Sequence, residues 1–232
     1  MTALLAQPLF FLSLTILFYL AGVWLQRRTT SPLANPTLIG IVCVAATLEL
    51  LHLSYAQYFS SVQMLHFLLG PATVALAIPI VQSLEHLRRG LLPTLIAIVT
   101  GALTGTISAY SLVRLCGGSQ LLALSMMPKS VTTPIAMGVA ETIGGAASLT
   151  AIFAVVGGIL AAVLLPIMLR MLRVHHPAAT GLTAGTSGSG IAAASVVPLG
   201  PIPAAFAGIA VGLNGLITAL LAPLLVRLFQ HL

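Results

Sequence analysis

Residues 119–144, SQLLALSMMPKSVTTPIAMGVAETIG, are apolar at both ends and interrupted in the middle by Pro128-Lys129-Ser130-Val131-Thr132-Thr133-Pro134. Proline removes a backbone donor and breaks a helix that contains it. Lysine is among the costliest side chains to hold in hydrocarbon. The stretch therefore reads as an interrupted segment with a polar tip rather than as one straight crossing. Its surroundings decide whether that tip lies in a membrane.

Those surroundings are apolar from end to end. Of the 232 residues, 59% are hydrophobic and 5% charged, and the mean hydropathy is +1.13. Soluble domains average about 25% charged residues, so this composition cannot cover a water-facing surface. Regions of crossing length fall at about 9–25, 37–53, 62–84, 91–113, 148–172, 178–197 and 203–228. The first has no basic leader and no small-x-small cleavage site before Arg27 and Arg28, and is read as a retained span. The expected fold is all-α: one polytopic helical bundle over residues 1–232, with seven crossings, a re-entrant hairpin and broken helices near the midplane. The nine basic residues give a net charge of +6 but form no run or patch, so nucleic acid is not an expected partner. The lipid bilayer is.

Charge placement sets an orientation. Arg27/Arg28, Arg88/Arg89, Arg170/Arg173 and Arg227 follow the first, third, fifth and last regions, and the positive-inside rule assigns those ends to the cytoplasm. The N-terminus is then outside, and Arg114 alone falls outside with it. Crossing four ends outside and crossing five must start there, so residues 119–144 are expected to leave and return on one side as a re-entrant hairpin. Region 62–84 is also interrupted, at Gly70-Pro71 and Pro79. Pro71-Ala-Thr-Val74 and Pro128-Lys-Ser-Val131 share a short pattern, a faint trace of an inverted repeat. Irregular backbone at membrane depth is tolerated only where protein buries it or a watery cavity lines it, and many secondary transporters bind substrate at such breaks.

Lys129 carries the most information. At mid-depth it costs about 2.5–3.5 kcal/mol on insertion scales, so it needs an anion, a polar cavity or a route to the interface. Ser130, Thr132 and Thr133 add short hydroxyls, Pro128 and Pro134 free backbone groups, and a helix starting beyond the tip aims its N–H groups there. A carboxylate would suit this set; a shallow loop whose lysine snorkels to the interface is the alternative. Asn35, Thr73, Thr186, Ser189 and Asn214 are further candidates for lining a site, as polar residues within apolar segments. Glu141 lies about 12 Å along a helix from the tip, too far to pair with Lys129. Glu49 reaches headgroups, and Glu85 pairs locally with Arg88 and Arg89.

Several chemistries are excluded or weak. Gly181–Gly190 has no Gly-Lys-Ser/Thr ending and no preceding strand, so it is no phosphate loop. The glycine pairs 101/105, 181/185 and 208/212 fit close helix packing, which also suits a homodimer. His175 and His176 are adjacent, the other histidines are isolated, and Cys43 and Cys116 have no ligand spacing, so no metal or other cofactor is expected. The chain contains no aspartate, and no nucleophile triad or carboxylate pair can be assembled. It is not expected to be an enzyme.

The run Met127–Met137 followed by Ile143-Gly-Gly145 resembles the signature of the LrgB/CidB family. Leu33–Pro36, Tyr55 with Tyr58, and Leu68–Ala77 with Pro79 are similar as well. One departure concerns the family's Ser-His-Gly/Ala-x-Gly-Thr-Ala run, whose histidine falls here on Ser189. The resemblance implies two functions. One is antiholin-like modulation of murein hydrolase activity and lysis, with an LrgA/CidA-type membrane partner. The other, seen in plastidic glycolate/glycerate translocators and in relatives linked to pyruvate uptake, is carriage of small monocarboxylates. The lone lysine and its hydroxyls agree with the second, so the expected function is a multi-pass carrier in the inner (cytoplasmic) membrane for pyruvate, lactate, glycolate or glycerate.

Overall fold

The computed structural model describes residues 8–29, 34, 36–75 and 90–230, and every regular element among them is helical. The chain forms two compact units, Met1–Ala75 and Leu76–Leu232. The first holds α1 (Pro8–Thr29), α2 (Pro36–Leu50), α3 (Tyr55–Ser61) and α4 (Gln63–Ala75). Gly22 lets α2 approach α1, since a Cβ there would lie 2.8 Å from the Cα of Pro36. Ser54 and Gln57 form a capping box that starts α3. Tyr58 on α3 then reaches α1, its hydroxyl 3.0 Å from Thr15 Oγ1 and its ring edge-on to Phe11. Helix α2 has only 15 residues, about 22 Å at 1.5 Å per residue, shorter than the predicted 37–53 crossing. The predicted 62–84 crossing is described only as far as Ala75, with Pro71 inside the helix.

The second unit holds α5 (Leu91–Leu115), α6 (Gln120–Met126), α7 (Thr133–Ile143), α8 (Ala147–Met171), α9 (Pro177–Val196), a 3-10 turn (Val197–Leu199) and α10 (Pro201–Gln230). Four helices among the described residues are long and apolar enough to cross a membrane: α1, α5, α8 and α10. The chain is thus a multi-pass helical membrane protein.

Side-chain register fixes how the second unit is threaded. Thr150, in the first turn of α8, donates to the Ser125 carbonyl at 2.8 Å, and the Ser125 hydroxyl accepts from the Ala146 N–H at 2.8 Å. Both α6 and the far end of α7 therefore sit at the start of α8. Between them the chain descends through 3-10-like turns, Lys129 N–H to the Met126 carbonyl and Val131 N–H to the Pro128 carbonyl, and α7 climbs back. Gly144 ends α7 in the left-handed region at φ 83°, where glycine carries no Cβ penalty. Residues 119–146 enter and leave at one end of the unit, the end that bears Arg114.

The second hairpin was not foreseen. A Cβ on Gly181 would strike the Pro203 carbonyl, and one on Gly185 the Ala207 carbonyl, so the first half of α9 runs parallel to α10. Only residues 197–200 join the end of α9 to the start of α10, a reach of about 18 Å at most. A straight α9 would end about 30 Å from where α10 begins. The conflict is resolved inside α9, where Gly188 (φ −131°, ψ 16°) and Ser189 (φ 54°, ψ −145°) leave the helical region. The chain turns there and returns, and Val196 packs in one cluster with Leu165, Ala207 and Val211.

The predicted crossing at 178–197 is therefore corrected: α9 enters and leaves at the Arg170 end. As a result α10 runs parallel to α5, with Ile98 against Ile209 and Ala210 near their starts and Tyr110 stacked on Phe229 near their ends, centroids 4.6 Å apart. Arg227 consequently lies at the Arg114 end, opposite Arg170, so the predicted placement of Arg170 and Arg227 together on the cytoplasmic side is corrected too. The order α5, hairpin, α8, hairpin, α10, with hairpins entering from opposite ends, has the form of an inverted repeat.

Candidate functional site

The two hairpins meet at mid-height. A Cβ on Gly105, ten residues from the end of α5, would lie 3.4 Å from Ser130 Oγ. A Cβ on Gly157, ten residues into α8, would lie 3.7 Å from the Lys129 carbonyl. Both registers put residues 129–130 about 15 Å from the Arg114 end, half the thickness of a hydrocarbon core of about 30 Å. The second tip lies at the same level: Gly101 of α5 approaches the Thr186 methyl, and Gly158 of α8 approaches the Gly188 carbonyl.

Asn214 joins the tips. It is fully buried on α10, and its Nδ2 donates to the Ser130 carbonyl and to the Thr186 carbonyl, each at 3.1 Å. Each of those carbonyls belongs to a residue near a helix break. One amide therefore satisfies two backbone acceptors that regular helix no longer serves.

Lys129 is half-buried, and its ammonium donates to Ser130 Oγ at 3.4 Å. No carboxylate forms an ion pair with it among the described residues; Glu141 is exposed near the far end of α7. Two cavities flank Lys129 along α5. One, of about 480 Å³, extends toward the Arg170 end between Thr100, Gly101, Thr104, Thr183, Thr186 and Ser187, and also touches Ser130. The other, of about 460 Å³, extends toward the Arg114 end past Ser108, Leu112, Val113, Leu122 and Met126. Lys129 lines both. Their sizes fall within the range of small-molecule sites, about 300–1,000 Å³. An ammonium with three donors and hydroxyls nearby is the kind of set that holds a carboxylate.

The predicted site residues separate into groups. Lys129, Ser130 and Thr186 share the first cavity; Asn214 clamps the tips behind them; and Ser189 forms the second tip, buried at 6% exposure. Thr132 is the N-cap of α7, yet its hydroxyl makes no cap bond. Pro128 is fully buried. Thr133 and Pro134 open α7 and line neither cavity, Pro134 being exposed. Asn35 and the Thr73 side chain lie outside the described residues.

The family-model comparison matches residues 15–228 to the LrgB-like family. The chain belongs to the LrgB-like family. It is 30% identical over 217 residues to the uncharacterized protein YxaC of Bacillus subtilis, covering 94% of each chain. It is 29% identical over 218 residues to the antiholin-like proteins LrgB of Bacillus mycoides and Bacillus cereus, covering 94% of this chain and 95% of theirs. No solved structure matches.

Within this LrgB-like chain, the residues that sequence reasoning passed over are mostly small. Thr100, Thr104 and Ser108 recur every four residues on α5, as Thr183 and Ser187 do on α9, which puts each set on one helical face. Gly101 and Gly105 were read as a helix-packing pair; they make room for the hairpin tips. Ser125 is fully buried and fastens the first hairpin to α8, a role for which its sequence context carries no signal.

Proposed function

We propose that this chain is a secondary carrier for small monocarboxylates of the pyruvate, lactate, glycolate or glycerate class, working by alternating access in the cytoplasmic membrane. One observation carries the reading: a single lysine divides two cavities that extend toward opposite ends of the unit, at the level where two oppositely entering hairpins meet. The Lys129 ammonium serves as counter-charge to the carboxylate, and Ser130, with Thr186 and its hydroxyl neighbours, solvates the rest of the acid. Broken helices facing each other near mid-depth suit a site opened alternately to each side. The Arg170 end, carrying Arg170, Arg173 and two histidines, is assigned to the cytoplasm.

The test is uptake of radiolabelled pyruvate and glycolate into proteoliposomes. Lys129→Ala is expected to lower saturable uptake by at least about 30-fold, the low end of the cost of removing one partner of a buried charge pair, while keeping its size-exclusion profile. Full uptake by that variant would defeat the reading.

The relatives named antiholin-like protein LrgB favour a second reading, an antiholin-like role, which the family resemblance would join to modulation of murein hydrolase activity and lysis with an LrgA/CidA-type partner. It predicts a stable hetero-complex and a lysis phenotype indifferent to Lys129→Ala. Co-purification with such a partner, combined with lysis assays of that variant, separates the two.

A further inference from the structure

Three buried side-chain oxygens have no hydrogen-bond partner among the described residues: Thr132 Oγ1, Ser189 Oγ and Asn214 Oδ1. All three belong to the junction of the hairpins. The orientation of the Asn214 amide is fixed by chemistry, because the Ser130 and Thr186 carbonyls can only accept, so both N–H groups face them. The orphan must then be Oδ1. Thr132 lies two residues beyond Ser130, and Ser189 three beyond Thr186, so each hydroxyl is within a turn of a carbonyl that Asn214 clamps.

A buried polar oxygen without a partner is costly, and three at one junction of a small unit call for a common ligand. We propose that Asn214 Oδ1, Thr132 Oγ1 and Ser189 Oγ are side-chain ligands of a monovalent alkali cation of Na⁺ size. The donors are neutral oxygens. Divalent cations are held by carboxylates, and no cluster of three His, Cys, Asp or Glu exists among the described residues. The backbone adds a separate argument. Ser189 holds φ 54° and ψ −145°, a region close to glycine-only and strained for other residues. Glycines stand on both sides at 188 and 190, yet a serine occupies the strained position. A hydroxyl placed as a ligand accounts for that.

The cation would sit on the Asn214 side of the first tip, and the Lys129 ammonium bonds Ser130 Oγ. Two cations near each other repel, and an anion on Lys129 relieves the repulsion, so cation and carboxylate bind with positive coupling. This deepens the carrier reading by naming its coupling ion, but the site can be tested apart from transport.

The experiment is thermal unfolding of the purified full chain without carboxylate, in NaCl against choline chloride at equal ionic strength. Wild type is expected to gain about 3–6 °C in 150 mM Na⁺. Ser189→Gly is expected to match or exceed the wild-type midpoint in choline, since strain is relieved, and to lose the Na⁺ increment; Thr132→Val is expected to lose it as well. Equal midpoints of wild type in the two salts, as an ordered water alone would give, overturn the proposal. A full increment in both variants overturns the ligand assignment. A Na⁺ shift without acid uptake leaves the cation site standing and removes the carrier; saturable uptake indifferent to Na⁺ does the reverse.

Discussion

Asn214→Leu isolates what holds the two hairpins together. Leucine resembles asparagine in size and reach, so a packing defect contributes little, but both donors disappear. The Ser130 and Thr186 carbonyls, each bonded at 3.1 Å in the native chain, are left buried beside an apolar group. An unpaired buried acceptor costs about 1–3 kcal/mol. Interhelical side-chain bonds measured in membrane proteins average about 0.6 kcal/mol and reach about 1.7. Two carbonyls, taken between these figures, give a loss of about 2–3 kcal/mol. Losing the orphan Oδ1 returns part of this, so the net is nearer 2. At about 2–4 °C per kcal/mol for a chain of this size, the unfolding midpoint in detergent should fall by about 4–8 °C. Asn214→Gln, which keeps the amide but lengthens the arm, should fall less if the tips adjust. A midpoint for the leucine variant within 1 °C of wild type in choline chloride would refute the clamp.

Other consequences can be measured on the same protein. Gly185→Ala should destabilise by about 1–3 kcal/mol, because its Cβ would meet the Ala207 carbonyl, whereas Gly190→Ala meets nothing within 4 Å and should leave the midpoint nearly unchanged. Ser125→Ala strands the Ala146 N–H now bonded at 2.8 Å, so a loss of about 1–3 kcal/mol is expected, read in the same melts. In a background with Cys43 and Cys116 replaced by alanine, single cysteines at Ser119 and Arg227 should react with an impermeant maleimide from one side of the membrane, and cysteines at Arg173 and Gly200 from the other. Labelling of positions 173 and 227 from the same side would restore the straight crossing at 178–197 and reject the second hairpin.

The interruption at Pro128–Pro134 is legible because proline and lysine both punish a continuous apolar helix, and the helices do stop at Met126 and resume at Thr133. The break at Gly188-Ser189 left a weaker trace. Glycine, serine and alanine are tolerated inside membrane helices, so residues 178–197 resemble a crossing of ordinary length. The available sign was a mismatch: only five residues, 198–202, separate this stretch from the next predicted crossing, yet no charged residue marks a membrane surface between them. The orientation drawn from the arginines inherited the error and put Arg227 on the same side as Arg170, where the structure has them at opposite ends. Asn214 read as one polar residue among several, because a clamp depends on which two carbonyls fall opposite it, and that follows from threading rather than from local pattern. The division of the chain at Ala75 carries no compositional mark, since both parts are equally apolar.

At the waist of the second unit the walls are glycine backbone, set against the Thr186 methyl and Ser130 Oγ on α5 and against the Lys129 and Gly188 carbonyls on α8. Gly101 and Gly105 on one wall and Gly157 and Gly158 on the other offer the tips no knobs to climb over, so displacement along the membrane normal disturbs few interlocked side chains. Such a joint works as a plain bearing: it seals by closeness, yet resists sliding only through the handful of polar links that pin it. Adding bulk on either wall should act as a brake before it acts as a wound.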